Sequence, residues 1–167
     1  AGWVSNALDC NDGEAKIHPG TTDYPDVGFI DLDCDGIDGN ISRSIFVDPI
    51  NGSDLNDGYA TVTPLATIRR ALEVSGSTSR TDILLHEGDY AENVVLTAGR
   101  GLYGGYTGER WTRADVFTTE TRSRIVPATG FALEVTSYSG TGKVQNLWLE
   151  ATAAGAGRYS VVSVYVS

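Results

Sequence analysis

The sequence contains no methionine, only two cysteines and two histidines, and no apolar run long enough to cross a membrane. So few thiol and imidazole groups, without paired CxxC spacing, exclude a zinc site of the usual type. Without a run of about 18 apolar residues we expect no membrane insertion. The 167 residues are nevertheless enough to bury one sizeable core.

Basic residues are also scarce in the first third of the chain. Residues 1–58 hold twelve acidic residues against two basic ones, whereas residues 59–167 hold ten of each sign. The net charge of −10 therefore lies entirely in the first third, where carboxylates cluster in loops with Gly and Asn. This clustering indicates metal sites. Because no basic stripe is present that would release counterions from DNA or RNA, we expect no nucleic-acid partner.

Cys10 and Cys34 each lie in an acidic loop. The carboxylate oxygens around them suit a harder ion than zinc. We therefore predict a Cys10–Cys34 disulfide, which implies an oxidising compartment. The absence of methionine and the acidic balance are typical of a secreted protein, and we expect Ala1 to lie at or near a processed N-terminus.

Alternating carboxylates dominate the loop of residues 31–40. Three aspartates at alternate positions are followed at once by a glycine: Asp31, Asp33, Asp35 and Gly36. With this spacing the side-chain oxygens can converge on a hard divalent ion, and the glycine turns the backbone so that a carbonyl oxygen joins them. An EF-hand would need a glutamate where this chain has Ser42. The loop predicts a calcium site whose missing ligands come from elsewhere in the chain, and the alternative is a solvated acidic turn.

Two segments between residues 7 and 40 resemble the metal-binding motif repeat of secreted bacterial surface proteins. The first is Asp9-Cys-Asn-Asp-Gly with the following Ile-His-Pro-Gly, and the second is Asp31-x-Asp-Cys-Asp-Gly-Ile-Asp-Gly. The resemblance implies an extracellular module that binds a divalent cation, usually calcium. Carried over by position, the candidate ligands are Asp9, Asn11, Asp12, Asp31, Asp33, Asp35 and Asp38.

A second acidic loop follows the short apolar strand predicted at Ile45–Val47. Its Asn-Gly and Asp-Gly steps are turn signals. Its polar side chains either bind a second ion or cap turns by bonding their own backbone, and the sequence leaves both alternatives open. These residues are Asp48, Asn51, Asp54, Asn56 and Asp57.

One convincing helix is predicted, over Pro64–Val74, because its apolar residues share one face and Pro64 suits a first turn. We expect Gly76 to end it. Later apolar segments are short and separated by turn residues about every ten positions, which predicts an all-β fold and leaves sandwich, barrel and β-solenoid open. The predicted strands are Asp82–His86, Asn93–Thr97, Gly101–Tyr106, Arg124–Val126, Phe131–Thr136, Val144–Ala151 and Ser160–Val166.

Four motifs resemble the start of secreted right-handed parallel β-helix proteins of the pectate-lyase-like type. They are Phe46-Val-Asp-Pro-x-Asn-Gly-Ser-Asp-x-Asn-Asp-Gly, Pro64-Leu-Ala-Thr-Ile-x-x-Ala-Leu, Ile83-Leu-Leu-x-x-Gly-Asp-Tyr and Leu102-Tyr-Gly-Gly-Tyr. The resemblance implies a parallel β-helix over residues 44–167 with an N-terminal capping helix, preceded by the loop-rich metal-binding module of residues 1–43.

The β-helix interpretation assigns a side to each apolar strand residue. His86 becomes a variable turn position and not a base. Trp111, Tyr103 and Tyr106 are either platforms for sugar stacking or packing residues, and packing is favoured. The expected inward-stacking residues are Ile83, Leu85, Val95, Leu102, Ile125, Leu133, Val135, Val144, Leu147 and Leu149.

Two function classes follow from these expectations. The first is a calcium-stabilised structural or adhesive module of a secreted or cell-surface protein, without catalysis and with a glycan as one conceivable partner. The alternative is a fragment of a polysaccharide lyase or glycoside hydrolase. A lyase needs a basic residue beside calcium and a hydrolase needs two converging carboxylates. Neither pattern is recognisable in the sequence, so the first class is favoured.

The last segment, Arg158–Ser167, alternates like a strand that enters a new coil of the solenoid. Such a strand would leave unpaired backbone groups beside an open apolar core. We therefore expect either that the polypeptide continues beyond these residues or that the last strand pairs with a second copy. Repeated pairing of that kind would build a head-to-tail assembly or filament.

Overall fold

The computed structural model describes residues 9–115, 122–136 and 142–150, and residues 158–166 as backbone alone. Before the first strand, the described loop contains a 3-10 turn at Ile41–Arg43. The regular elements that follow are β1 (Ser44–Val47), α1 (Ile68–Gly76), β2 (Asp82–His86), β3 (Gly88–Tyr90), β4 (Val94–Leu96), β5 (Gly101–Thr107), β6 (Thr112–Arg113), β7 (Ser123–Ile125), β8 (Leu133–Val135), β9 (Gly142–Glu150) and β10 (Arg158–Val166).

Most strands pair in parallel, in three ladders. The first holds β1, β2, β5 and the start of β9, the second holds β3, β7 and the end of β9, and the third holds β4 and β8. Asn146 has a φ of 55° and separates the two paired parts of β9. The chain thus passes through the ladders in the same order twice, and the parallel sheet curls into a half-barrel. This arrangement is compatible with the predicted β-helix.

The main core lies inside the curled sheet and beneath α1. Ile68, Ala71 and Val74 of the helix are buried against it. The helix begins at Ile68, four residues later than predicted, because Leu65 is still extended and bridges in parallel to Val47. Thr67 then caps the helix by accepting a hydrogen bond from the backbone N–H of Arg70.

Most of the predicted inward-facing residues lie in or against this core. Two predictions were wrong: Val95 is 41% exposed and Val135 is 36% exposed, whereas Val94 and Leu96 are buried. Val95 lies in a run of three apolar residues, which carries no alternation that marks its inner side, and Val135 is the last residue of β8. The buried members of the predicted set are Ile83, Leu85, Leu102, Ile125, Val144 and Leu147, and Leu133 and Leu149 are partly buried against them.

A second apolar cluster covers the opposite face of β1, β2 and β5. Phe46 and Tyr106 contact Trp111, whose ring centroid lies 5.1 Å from that of Phe46 and 6.3 Å from that of Tyr106. Trp111 is 3% exposed and Tyr103 is 4% exposed. These aromatic rings therefore pack, and packing is the alternative that the structure supports over an exposed sugar platform. The buried Ile37 brings the acidic loop onto this cluster.

The last strand differs from the prediction. β10 pairs antiparallel with β9, from Arg158 opposite Glu150 to Val166 opposite Gly142. Seven residues separate the two strands, and a parallel connection needs a dozen or more. The segment therefore folds back along β9 and does not enter a new parallel coil.

The edge of β1 that faces away from β2 forms backbone hydrogen bonds with a later segment of the same chain. The N–H of Phe46 donates to the carbonyl of Gly58, the N–H of Leu65 donates to the carbonyl of Phe46, and the N–H of Asp48 donates to the carbonyl of Leu65. In the described residues the one α-helix, α1, has nine residues and is too short to cross a membrane.

Candidate metal centre

A disulfide closes the first acidic segment. Cys10 and Cys34 are bonded, with their Cα atoms 5.6 Å apart, and they stand 24 positions apart in the sequence. The predicted pairing is confirmed. It ties the turn around Asp9 to the loop of residues 31–40, so two acidic halves lie side by side.

The loop after Ile30 wraps its backbone around its own carboxylates. Asp31 accepts hydrogen bonds from the N–H groups of Asp35, at 3.2 Å, and Gly36, at 2.8 Å. Asp35 in turn accepts one from the N–H of Ile37 at 2.9 Å. Gly36 has a φ of 95°, a conformation that side-chain-bearing residues rarely adopt. The glycine therefore makes the tight turn that the sequence pattern predicts.

Three carboxylates converge beside this loop. Asp23, Asp31 and Asp33 each place an oxygen so that all three ligand atoms lie within 4.8 Å of one another. We call this group the acidic triad. Two of its members, Asp31 and Asp33, come from the predicted set of seven, and Asp23 was not predicted. Carboxylate oxygens without thiol or imidazole ligands are the donor set of a hard divalent cation.

Asp23 is the member whose environment is hardest to explain without a cation. It is 0% exposed. Its Oδ2 accepts a hydrogen bond from the N–H of Gly39 at 2.8 Å, whereas its Oδ1 is buried with no hydrogen-bond partner in the described part of the chain. A buried carboxylate oxygen without a donor is costly. The residues present therefore fit a metal ion, which would supply the partner that this oxygen lacks.

The pKa values of the carboxyl groups in and beside the triad also show that their charged forms are disfavoured. Burial, followed by the charges of Asp33 and Asp31, raises the pKa of Asp23 above its usual range, and the backbone N–H groups of Gly39 and Leu32 only partly oppose this. Burial, with the charge of Asp31 added, also raises the pKa of Asp33. The pKa of Asp35 rises to about 6, first through desolvation and then through the charges of Asp33 and Asp31. A divalent cation would offset both causes in the triad.

Asp38, a predicted ligand, has a different role in the structure. Its Oδ2 lies 2.8 Å from Nη1 of Arg113, and its Oδ1 accepts a hydrogen bond from the N–H of Asp26 at 3.2 Å. Both oxygens therefore have protein partners without a metal. The pKa of Asp38 still rises to about 6, because burial outweighs the attraction of Arg113.

The three predicted ligands of the first half lie outside the acidic triad. Asp9 accepts a hydrogen bond from the N–H of Asn11 at 3.0 Å, and Asn11 accepts one from the N–H of Gly13 at 3.2 Å. Asp12 is exposed. Asp9 and Asn11 thus form turns that bond their own backbone.

The described residues of the second acidic loop contribute to no group of three convergent carboxylate, imidazole or thiol ligands. Asp48 accepts hydrogen bonds from the N–H groups of Ile50 and Asn51 and from the side-chain amide of Asn51. These bonds hold the pKa of Asp48 below its usual range although burial alone would raise it.

The other carboxylates and the amide of this second loop are also bound locally. Asp54 accepts from the N–H groups of Ala66 and Thr67, each at 3.0 Å. Asp57 accepts from the N–H of Tyr59, and Asn56 donates to the carbonyl of Pro64. These hydrogen bonds are those that the capping alternative predicts.

No protein-family model matches the chain, and neither a curated protein nor a solved structure matches it.

Proposed function

We propose that the chain is a calcium-stabilised structural or adhesive module of a secreted or cell-surface protein, and that the acidic triad holds the ion. The observation that carries the proposal is the buried Oδ1 of Asp23, which has no hydrogen-bond partner beside two further carboxylates. Calcium is favoured because all three side chains offer oxygen and because calcium accepts irregular coordination by several carboxylates, whereas magnesium demands near-ideal octahedral geometry.

The ion would act on stability and not on a reaction. It would supply positive charge beside Asp23 and Asp33, whose charged forms are disfavoured in the folded chain by burial and by the neighbouring carboxylates. It would also fix the loop that carries Ile37 onto the second apolar cluster. Binding to the folded state alone stabilises by RT ln(1 + [L]/Kd), so millimolar calcium on a micromolar site adds about 4 kcal/mol.

The test is a set of melting curves in calcium and in EGTA. We expect millimolar calcium to raise the melting temperature of the wild type, and Asp23→Asn to abolish most of that rise. Asp12→Asn is the matched control, because it removes an exposed carboxylate of the same disulfide-closed segment outside the triad. A calcium-induced rise that persists in Asp23→Asn, or that Asp12→Asn removes equally, would sink the assignment.

The body of the module is, in this proposal, a right-handed parallel β-helix with α1 as its N-terminal cap. The support is the order of the three ladders, which the chain visits twice, and the position of α1 against β1, β2 and β4. An extracellular location is supported by the disulfide, which persists in oxidising compartments.

The proposal is non-catalytic, and polysaccharide lyase or glycoside hydrolase activity is the outcome that would refute it. The assay is incubation of the calcium-loaded protein with acidic and neutral polysaccharides. Release of unsaturated or reducing sugars above the level of a heat-denatured control would show an enzyme. No release is expected.

A further inference from the structure

A cleft of about 390 Å³ lies where the first parallel ladder meets the disulfide-closed loop. Its floor is formed by the starts of adjacent strands, since the register pairs Asp82 with Gly101 and Gly101 with Lys143. Arg43 and Arg100 stand one position before β1 and β5. Tyr24, from the loop, forms a wall on the other side.

Positive charge is concentrated in this cleft although the chain carries a net charge of −10. Arg43, Arg100 and Lys143 line it, together with a single carboxylate, Asp82. Asp82 is buried and already lies 3.3 Å from Nε of Arg43. Burial raises its pKa, and the charges of Arg43 and Lys143 oppose this. The side chains that line the cleft thus include three cationic groups and one carboxylate.

Arg100 is held in place by neutral oxygens. Its Nε donates to Oγ of Ser75 at 3.0 Å, its Nη1 donates to the carbonyl of Ala98 at 2.8 Å, and its Nη2 lies 3.4 Å from the carbonyl of Ser75. These bonds orient the guanidinium without neutralising its charge. A planar guanidinium held in this way is suited to bind a carboxylate or phosphate.

Arg43 is also positioned, with its guanidinium carbon 5.1 Å from the centre of the Tyr24 ring. Tyr24 itself is 46% exposed. The cleft therefore offers an aromatic face beside its cationic floor, and its volume lies within the usual range for small-ligand sites.

The geometry points to a binding site for an oxyanion, a carboxylate or a phosphate, carried on a body of about monosaccharide size. Arg100 and Lys143 contact the oxyanion, and Tyr24 with Arg43 borders the body. The site is separate from the acidic triad and does not involve the proposed metal ligands.

The test is calorimetric titration of the calcium-loaded protein at low ionic strength with glucuronic acid, glucose 6-phosphate and glucose. We expect at least one of the two anions to bind with a Kd below about 1 mM, and binding to weaken as salt is added. Which anion binds distinguishes a carboxylated from a phosphorylated ligand. Failure of both anions to bind the folded protein, or equally tight binding of neutral glucose, would overturn the proposal.

Three variants locate the site. Arg100→Gln and Lys143→Gln are each expected to weaken binding at least about tenfold, and Lys143→Gln does so while leaving the contacts of Arg100 with Ser75 in place. Arg69→Gln removes the same charge from the exposed face of α1, outside the cleft, and should leave the Kd unchanged. Equal weakening by Arg69→Gln would show a general charge effect and refute the assignment to the cleft.

Discussion

Replacing Arg113 with methionine should destabilise the protein more than any other single loss of charge in the described residues. The side chain of Arg113 is 0% exposed and that of its partner Asp38 is 2% exposed, with 2.8 Å between Nη1 and Oδ2. The same guanidinium donates to the carbonyls of Asp26 at 2.8 Å and Gly104 at 3.0 Å. Methionine would leave a buried carboxylate and two carbonyls without these donors.

The size of the effect follows from that burial. Removing one partner of a buried ion pair costs about 3–5 kcal/mol, chiefly because the remaining charge is left uncompensated. For a chain of this length such a loss lowers the melting temperature by roughly 10 °C. The assay is urea unfolding at neutral pH in millimolar calcium, so that the proposed metal site remains loaded in wild type and variant alike.

Two comparisons make the reasoning refutable. Arg124→Met breaks a pair of similar geometry, with 2.6 Å between Nη2 and an oxygen of Asp89, but its side chains are 36% and 52% exposed, and it should cost less than about 1 kcal/mol. Adding Asp38→Leu to Arg113→Met should recover part of the lost stability, because the uncompensated charge is then gone. A loss below about 1 kcal/mol for Arg113→Met, or a double variant less stable than Arg113→Met alone, would refute the argument.

Three further predictions concern protonation, the disulfide and the helix cap. The pKa of Asp38 is raised from 3.8 to about 6 in the folded state, so the folded state binds this proton more tightly than the unfolded state. The stability that this protonation provides should be lost as pH rises from about 4 to 6. Asp38→Asn should remove that part of the pH dependence of the unfolding free energy, measured by urea unfolding at several pH values, and an unchanged pH dependence would contradict the prediction. Cys34→Ser opens a loop of about two dozen residues and should lower the free energy of unfolding by roughly 3 kcal/mol; a variant as stable as the wild type, measured in calcium, would count against this. Glu92→Gln removes the negative charge that accepts hydrogen bonds from the first two N–H groups of α1, and it should lower the free energy of unfolding by about 1 kcal/mol. Glu73→Gln, at an exposed surface ion pair, should change it by less than about 0.5 kcal/mol. Equal losses in thermal unfolding would argue against the cap.

The disulfide could be predicted because the chain has only two cysteines, and two of the triad members could be predicted because their signal is local. Alternating carboxylates before a glycine specify a loop within six residues, and Asp31 and Asp33 accordingly lie in the acidic triad. Asp23 escaped prediction because it stands eight residues before that loop and reaches it only through folding. The one available signal was indirect: the loop lacks enough ligands of its own.

The errors in the strands have the same origin. Val94, Val95 and Leu96 are all apolar, so no alternation marks their inward side and the wrong member was chosen. Both faces of β1, β2 and β5 are buried, since the acidic loop packs over the second apolar cluster. Burial on both faces removes the periodicity on which the side of a residue is predicted, so the correct sides of Ile83, Leu85 and Leu102 followed from the β-helix resemblance alone.

The direction of β10 illustrates a different limit. Its alternating sequence is equally compatible with a parallel and an antiparallel partner, and only the length of the connection distinguishes them. The start of α1 is likewise decided by a contact distant in the sequence. It depends on the extended pairing of Leu65 with β1 and not on the helical preference of the residues before Ile68.

The pairing at the two outer strands of the first ladder has a consequence for how copies of this protein can associate. One border of the ladder is occupied by Gly58 and Leu65, which bond to β1, and the other by β10, which runs along β9. β10 is therefore the outer strand at that border, and in the described residues it is paired only on the side that faces β9. A strand from a second molecule can add there without displacing any segment of the chain. Such association would depend on backbone N–H and C=O groups, so backbone methylation of a competing β-strand peptide should weaken the competition.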